Sequence, residues 1–488
     1  MNLRNFFSIA VLLLFLQACS TLNTTRQTSP GTLTGRAQLQ SQIDGILDDS
    51  VFAPSLIGVK IVSLDDCKVL YSRNSNKLFH PASNMKLLTT STAVSLLDKD
   101  FRFTTRIYAD REARDSILSG NLYVKGCGDP LTTTADLDSV AVSIKQLGIR
   151  EITGNLVGNV TYFDDIPWGA GWMWDDEPDA YAAFITPLTV NENAVHLTVR
   201  PGKANGDSLS FSVEPQTHYV PVTNYGVTSS DTTLPGLSPT RRKDDTTIII
   251  RGHMKPGDPE QQFDLSVWKP EMYFLDLLKG ALNRNGVEVD GGIRVDTAIG
   301  KFRITEFSHP VDSVVHRINK MSDNLAAENL LKTLSAEKQG TPGSAAAGLN
   351  IVKEYLSRIG IDTTKMNLAD GSGLSFYNLV SPDIIVQILR SQYSNPSTFK
   401  RFYESLPVGG VDGTLKNRMR NTRAQGNVHA KTGSISGVST LSGYVRTADG
   451  RMLAFSFMAN HFPGMITSLR NAQDTVMELL ANFSEPNP

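Results

Sequence analysis

Cysteine is scarce in this chain of 488 residues, and its scarcity excludes one class of fold. Three cysteines are too few for a framework of several disulfides, which leaves open only whether Cys67 and Cys127 pair after export. The sequence has no Cys/His spacing typical of zinc sites and no glycine-rich phosphate-binding motif, so we expect neither a metal nor a cofactor. The net charge is −2 and there is no basic run, which argues against nucleic acid as a partner.

Long apolar runs are also missing, apart from one near the N-terminus. Residues 6–16 are almost wholly apolar, but the run is shorter than the roughly 20 residues that span a bilayer. It ends in Leu16-Gln17-Ala18-Cys19, which resembles the lipobox of bacterial lipoproteins and implies a lipid on Cys19 as the only membrane contact. The alternative is an ordinary cleaved signal in which Cys19 is incidental. Either way we predict export, with residues 1–19 as the signal and 20–36 as a flexible tether.

Hydrophobic patterning predicts a domain whose two ends meet. Alternation indicates a hairpin at 56–72 before a helix at 85–97, and further strands precede a final helix at 468–483. Helical patterns fill much of 311–392. We therefore predict an α+β domain with one mixed sheet closed by both ends of the chain. The predicted divisions are a main domain of 37–103 with 305–488, an inserted region of 104–304, and a β-rich part of that region at about 188–253.

One short segment, His80-Pro81-Ala82-Ser83-Asn84-Met85-Lys86, has the residues that nucleophilic catalysis needs. A serine hydroxyl is a weak nucleophile without an adjacent base. Ser83 and Lys86 are three residues apart, so on a helix they share one face. The motif alone decides little, because Ser-x-x-Lys occurs at Ser83, Ser266, Ser335 and Ser397.

Two further motifs follow in order, Ser322-Asp323-Asn324 and Lys431-Thr432-Gly433. Taken singly, the first is a good helix cap and the second an exposed strand end. With Ser83-x-x-Lys86 they make up the set typical of penicillin-binding proteins and β-lactamases. Their order predicts that three distant segments form one acyl-transfer site.

The residue types suggest a role for each member of this site. Ser83 Oγ attacks a carbonyl carbon, and Lys86 accepts its proton if burial and nearby positive charge keep Lys86 partly neutral. Ser322 relays the proton to the leaving amine, and Asn324 holds Lys86 and a substrate amide. The substrate-binding residues are Lys431 and Thr432 for a terminal carboxylate, Gly433 for close approach of the substrate, and Ser434, whose N–H joins that of Ser83 around the oxyanion.

Longer matches surround these motifs at Pro81-Ala-Ser-Asn-x-Lys86, Asp370-Gly-Ser-Gly-Leu-Ser375, Gly410-x-Asp412-Gly-Thr-Leu415 and Lys431-Thr-Gly-Ser-Ile-Ser-Gly437. Together they resemble peptidase family S13, the D-alanyl-D-alanine carboxypeptidase/endopeptidase group of low-molecular-mass class C penicillin-binding proteins. The resemblance implies a helix–sheet–helix sandwich like that of serine β-lactamases and DD-peptidases, with a large insertion between the first two motifs. It also implies a penicillin-sensitive enzyme of the cell envelope or periplasm, which acts on peptidoglycan stem peptides and cross-links and has β-lactams as covalent inhibitors.

One position departs from the family. Members often carry an Asp in a segment like Gly154-Asn-Leu-Val-Gly-Asn159, associated with the amine of the diamino acid in the stem peptide, whereas this chain has Asn159. The resemblance then implies that amine recognition is weaker or moves to Asp164 or Asp165. Nearby, Trp168, Trp172 and Trp174 either line a substrate pocket or pack on one another, and we favour packing.

Two smaller interpretations and two alternative functions complete the prediction. His429 is taken as structural, and Asp370–Ser375 as a turn at the rim of the cleft. A β-lactamase is the first alternative function, although no Glu-x-x-Leu-Asn segment for water activation is found. A non-catalytic cell-wall binding or scaffold protein is the second.

Overall fold

The computed structural model describes residues 35–464 and 466–485, so the predicted signal and most of the tether lie outside the described residues. Its ten α-helices are α1 (Gly35–Leu47), α2 (Met85–Leu96), α3 (Thr134–Gln146), α4 (Pro270–Arg284), α5 (Val311–Met321), α6 (Asn324–Gln339), α7 (Ala345–Arg358), α8 (Pro382–Tyr393), α9 (Pro396–Ser405) and α10 (Ile466–Asn482). Within these two ranges, no helix combines the length and the apolar character needed to cross a bilayer.

The strands of the same residues are β1 (Leu56–Ser63), β2 (Val69–Arg73), β3 (Arg102–Ala109), β4 (Ile117–Leu118), β5 (Leu122–Lys125), β6 (Glu151–Ile152), β7 (Leu156–Asn159), β8 (Ala194–Arg200), β9 (Ser210–Glu214), β10 (Val222–Asn224), β11 (Val227–Thr228), β12 (Ser238–Arg241), β13 (Ile248–Arg251), β14 (His253–Met254), β15 (Gln261–Ser266), β16 (Glu288–Val289), β17 (Ile293–Val295), β18 (Phe302–Pro310), β19 (His429–Ile435), β20 (Val438–Arg446) and β21 (Met452–Asn460).

Strands from both ends of the chain form one five-stranded sheet in the order β19-β20-β21-β1-β2. β1 pairs with β21 from Leu56↔Asn460 to Ser63↔Leu453, so the two ends of the chain are adjacent as expected. Every pairing in this sheet is antiparallel, so the prediction of a mixed sheet is wrong. The neighbours β20 and β21 join through a short turn, which can link an antiparallel pair but not a parallel pair.

Both faces of this sheet are covered by helices. Successive side chains of a strand point to opposite faces, and in β21 Phe455 and Phe457 pack in one core with α1 and α10. Ala454 and Met458 point to the opposite face and pack in a second core with residues of α2, α5, α6 and α8. The protein is therefore the predicted α+β helix–sheet–helix sandwich.

Helix α2 runs through the interior. Ten of its twelve residues are buried, although five are Ser, Thr or Lys. Thr90 Oγ1 binds Lys86 O of its own helix at 2.6 Å. Thr89 Oγ1 instead binds Gly371 O, in a separate loop, at 2.7 Å, so local and tertiary bonds together hold the helix that begins beside Ser83.

The inserted residues have their own core. A second five-stranded sheet, β17-β7-β5-β3-β18, packs with α3 and α4 around side chains such as Leu156 and Phe274. β3 pairs with β18, so the predicted boundaries at 103/104 and 304/305 both fall inside one strand pair. The division into domains stays a prediction. Cys67 and Cys127 are free thiols.

Candidate active site

The nucleophile candidate lies in a strained turn at the start of α2. Ser83 is half-buried within the single 3₁₀ turn Ala82–Asn84, directly before the helix. Ala82 has φ 45°, a left-handed conformation that costs a non-glycine residue about 1–2 kcal/mol. Asn84 is buried and donates from Nδ2 to Lys431 O at 3.0 Å, which fixes the turn against β19. Strain held by its surroundings is typical of functional sites.

Lys86 lies in the first turn of α2, and its ammonium group is completely enclosed. Lys86 Nζ contacts Ser83 Oγ at 3.0 Å, Asn324 Oδ1 at 2.5 Å and Ser372 O at 2.7 Å. Burial lowers the pKa of Lys86 to about 8, while the carboxylates of Asp370 and Glu328 act in the opposite direction. Burial thus favours the neutral amine, as expected, and the contribution of nearby positive charge stays a prediction.

The second motif lies between α5 and α6. Ser322 has φ 63°, and Asp323 caps α6 by accepting the Ala326 N–H at 2.9 Å. Asn324 Nδ2 donates to Tyr181 O at 2.8 Å. Because a carbonyl only accepts, this bond assigns the amide nitrogen to Tyr181 and the oxygen to Lys86.

The third motif lies within β19, opposite Ser83. Lys431 is buried and donates from Nζ to Ser322 Oγ at 2.8 Å. Burial, followed by the charge of Lys86, holds the pKa of Lys431 well below its usual value. A Cβ on Gly433 would lie 3.0 Å from Ser83 N and 2.2 Å from Thr440 Oγ1, so glycine lets the strand pass beside the nucleophile. Close approach of substrate at Gly433 stays a prediction.

An open cleft of about 410 Å³ lies over these groups. Its lining residues from the predicted set are Ser83, Ser322, Asn324 and Ser434. Lys86 and Lys431 lie beneath them, and Thr432 Oγ1 binds Thr414 Oγ1 at 2.7 Å. The structure thus brings two sets of contacts to one cleft, Lys86 with Ser83 and Asn324, and Lys431 with Ser322. Thr432, Gly433 and Ser434 follow along β19.

A family model described as the D-Ala-D-Ala carboxypeptidase 3 (S13) family matches residues 39–483. The chain belongs to this family. A D-alanyl-D-alanine carboxypeptidase of Actinomadura sp. (strain R39) is 34% identical over 464 residues, which cover 92% of this chain and 85% of that protein. Penicillin-sensitive carboxypeptidase A of Dictyostelium discoideum is 29% identical over 450 residues, 85% of this chain and 84% of that protein.

Solved structures share the fold. Penicillin-binding protein 4 of Haemophilus influenzae matches with a TM-score of 0.82 at 24% identity, over 91% of this chain and 99% of that chain. Its complex with a β-lactam matches with a TM-score of 0.74 at 23% identity, over 89% and 98%. Membership of the S13 family confirms the predicted class, a penicillin-sensitive serine DD-carboxypeptidase/endopeptidase.

The three positions suggested for amine recognition, Asn159, Asp164 and Asp165, do not line this cleft. Asn159 is 3% exposed, and its amide binds Thr297 O at 2.7 Å and Thr161 Oγ1 at 2.8 Å. Asp164 forms an ion pair with buried Lys332. Asp165 is exposed beside a different cavity. Asn159 therefore ties its strand end to a neighbouring loop, and amine recognition at these positions stays a prediction.

The carboxylates that do line the cleft are two acids of the tryptophan-containing loop, which the sequence analysis does not single out. Asp175 and Asp176 face the cleft with Tyr181. Asp176 accepts the Met173 N–H at 2.8 Å and the Tyr181 hydroxyl at 3.1 Å, so its position is fixed. The signal was the pair of adjacent acids after the tryptophans, but a loop has no periodicity that would show which way they point.

The structure of this loop shows which of its tryptophans pack on one another. Trp168 and Trp172 pack edge to face with ring centroids 5.2 Å apart, as favoured, and Trp172 Nε1 donates to Asp370 at 3.0 Å. Trp174 is 82% exposed and takes no part in that packing. His429 stacks on Tyr403 at 4.0 Å and is half-buried, which fits a structural role.

Proposed function

We propose that Ser83 is the nucleophile of this S13 enzyme, and that it forms an acyl ester with D-Ala-D-Ala stem peptides and cross-links of peptidoglycan. One observation carries the proposal: Ser83 and, from a distant segment of the chain, Asn324 both contact the single buried amine of Lys86. The Ser83 O–C bond forms as the peptide C–N bond breaks, and water later hydrolyses the ester. The roles of the other residues of the site are part of the same proposal.

The contacts of Lys86 favour proton transfer from Ser83. A neutral amine has two N–H donors and one lone pair, and two of its three partners, Asn324 Oδ1 and Ser372 O, can only accept. These partners use both donors, which leaves the lone pair facing the Ser83 hydroxyl. Lys86 is therefore oriented as a general base before substrate arrives.

The leaving amine needs a proton, and the contact between Lys431 and Ser322 supports a route. Lys431 Nζ lies 2.8 Å from Ser322 Oγ, and Ser322 lines the cleft. The leaving amine takes one proton from the Ser322 hydroxyl, Lys431 replaces that proton through its contact with Ser322, and the proton that Lys86 took from Ser83 balances the transfer. The N–H groups of Ser83 and Ser434 are the proposed oxyanion donors.

This base assignment makes acylation pH-dependent. Below the Lys86 pKa of about 8 the amine is protonated and has no lone pair, so the rate constant for labelling by fluorescent penicillin should rise about tenfold per pH unit. Above about pH 9 it should level off. Stopped-flow labelling from pH 5.5 to 10 gives the profile, and a rate that is flat between pH 6 and 8 contradicts the assignment.

We further propose that Asp176 meets the amine of the stem-peptide diamino acid. A charge-assisted hydrogen bond of this kind contributes about 1.5–3 kcal/mol, so Asp176→Asn should lower kcat/KM at least about tenfold on a peptide with the free amine. The N-acetylated peptide should show little change, and Asp179→Asn in the same loop is the matched control. Equal losses on both peptides would rule out amine recognition.

We also propose that the chain is exported to the periplasm with a lipid on Cys19. The support is the sequence Leu16-Gln17-Ala18-Cys19, which lies outside the described residues. Labelling of the wild type by radioactive palmitate, absent from Cys19→Ser, is the expected result. Equal labelling of both proteins would exclude Cys19 as the lipid site.

A further inference from the structure

One buried carboxylate has no place in the site as described so far. Glu328 lies four residues after Asn324, on the same face of α6, and is 1% exposed. It accepts N–H bonds from Gly371 at 3.0 and 3.1 Å and from Ser372 at 2.8 Å. A buried carboxylate is costly unless it is hydrogen-bonded, and here backbone groups of a single short segment provide the bonds.

The segment bound by Glu328 is the one that holds Lys86. The peptide unit between Gly371 and Ser372 donates its N–H to Glu328 and accepts Thr89 Oγ1 at Gly371 O, 2.7 Å away. This peptide unit is therefore hydrogen-bonded to both α6 and α2. The next carbonyl, Ser372 O, accepts from Lys86 Nζ at 2.7 Å.

Asp370 fixes the far side of the same segment. It accepts the N–H groups of Gly373 at 2.8 Å and Ser375 at 2.7 Å. Gly373 has φ +86°, and a Cβ there would lie 1.8 Å from Ala82 O, so the loop is pressed against the nucleophile turn. Two carboxylates thus hold residues 371–375 from opposite ends, and Glu328 is the one next to the carbonyl that meets Lys86.

We propose that Glu328 is a positioning residue for acyl transfer: by holding the Gly371–Ser372 peptide unit, it keeps Ser372 O on Lys86 and the Lys86 lone pair on Ser83. This inference rests on the proposed role of Ser83. If Ser372 O is displaced, Lys86 keeps Asn324 Oδ1 as its one fixed acceptor. The amine then rotates about its last bond, and its lone pair faces Ser83 for only part of the time.

Glu328→Gln tests this directly, because it keeps the size but puts an NH₂ group where one oxygen now accepts. We expect the plateau rate constant of penicillin acylation to fall about tenfold to a hundredfold. The charged groups acting on Lys86 are Asp370, Glu328 and Asp323. Loss of the Glu328 charge should therefore also lower the apparent pKa of acylation, whereas the fall in plateau rate per folded molecule reports the positioning of Lys86.

Glu328→Asp keeps the charge but is one methylene shorter, so it should show a smaller loss and the wild-type apparent pKa. The matched control is Glu337→Gln, a surface position on the same helix. A folded Glu328→Gln protein with the wild-type plateau rate overturns the inference, whatever its apparent pKa. If that variant does not fold, an unchanged plateau rate in Glu328→Asp overturns it. An unlabelled wild type would instead refute the proposed role of Ser83.

Discussion

Ser83→Ala is expected to abolish covalent labelling by fluorescent penicillin and to lower turnover of a D-Ala-D-Ala peptide by about 10⁶-fold, the scale seen when a serine nucleophile is removed. The other hydroxyl groups of the three motifs do not contact Lys86, because Ser322 is bound by Lys431 and Thr432 by Thr414. The fold should persist, since one half-buried hydroxyl contributes only about 1 kcal/mol.

The control for this variant is supplied by the chain itself. Ser397 and Lys400 repeat the Ser-x-x-Lys spacing on α9, but both are exposed, and Ser397 Oγ binds Asn395 Oδ1 at 2.7 Å. Ser397→Ala should leave labelling and turnover unchanged. Gel fluorescence and D-alanine release measure the two effects, and persistent labelling of Ser83→Ala would place the nucleophile elsewhere.

Lys86→Met should lower the acylation rate constant by about 10²–10⁴-fold, the usual contribution of a general base. Methionine fills a similar volume but has no lone pair suited to the proton. It also leaves Asn324 Oδ1 and Ser372 O without their donor, a cost of about 1–3 kcal/mol for each orphaned acceptor. The melting temperature must therefore be measured beside the rate.

Lys86→Arg separates the base from the charge. Arginine keeps a cation near Asn324 but stays protonated at all working pH values, so it should be as inactive as Lys86→Met. The control is Lys332→Met, which removes a buried lysine of α6 that pairs with Asp164 and lies outside the cleft. It should lose stability without a matching loss in acylation per folded molecule. An active Lys86→Arg enzyme would contradict the role of Lys86 as base.

The sequence was most informative where chemistry depends on a side chain. Ser83, Lys86, Asn324 and Lys431 were predicted because their types and order define the reaction, and the structure brings them together. The hairpin and the sheet closed by both ends were predicted from alternation. In each case a local pattern has a physical reason that does not depend on distant residues.

The parts that were missed depend on tertiary contacts. Ser372 acts through its carbonyl, which every residue has, so residue type gives no signal. Glu328 looks like any polar residue of a helix until the fold buries it. Gly433 is a poor strand former, yet β19 continues through it to Ile435, because only glycine allows the strand to pass so close to Ser83. β18 and α9 were not predicted.

The most direct test of the account is to locate the acyl group after the wild-type protein reacts with penicillin. Tandem mass spectrometry of a proteolytic digest should find one penicilloyl adduct per chain, on the hydroxyl of Ser83, and the adduct should persist during the reaction. An adduct on another residue, or no adduct, would contradict the claim that distant segments assemble around this serine. Rapid turnover of penicillin without an accumulated adduct would favour a β-lactamase.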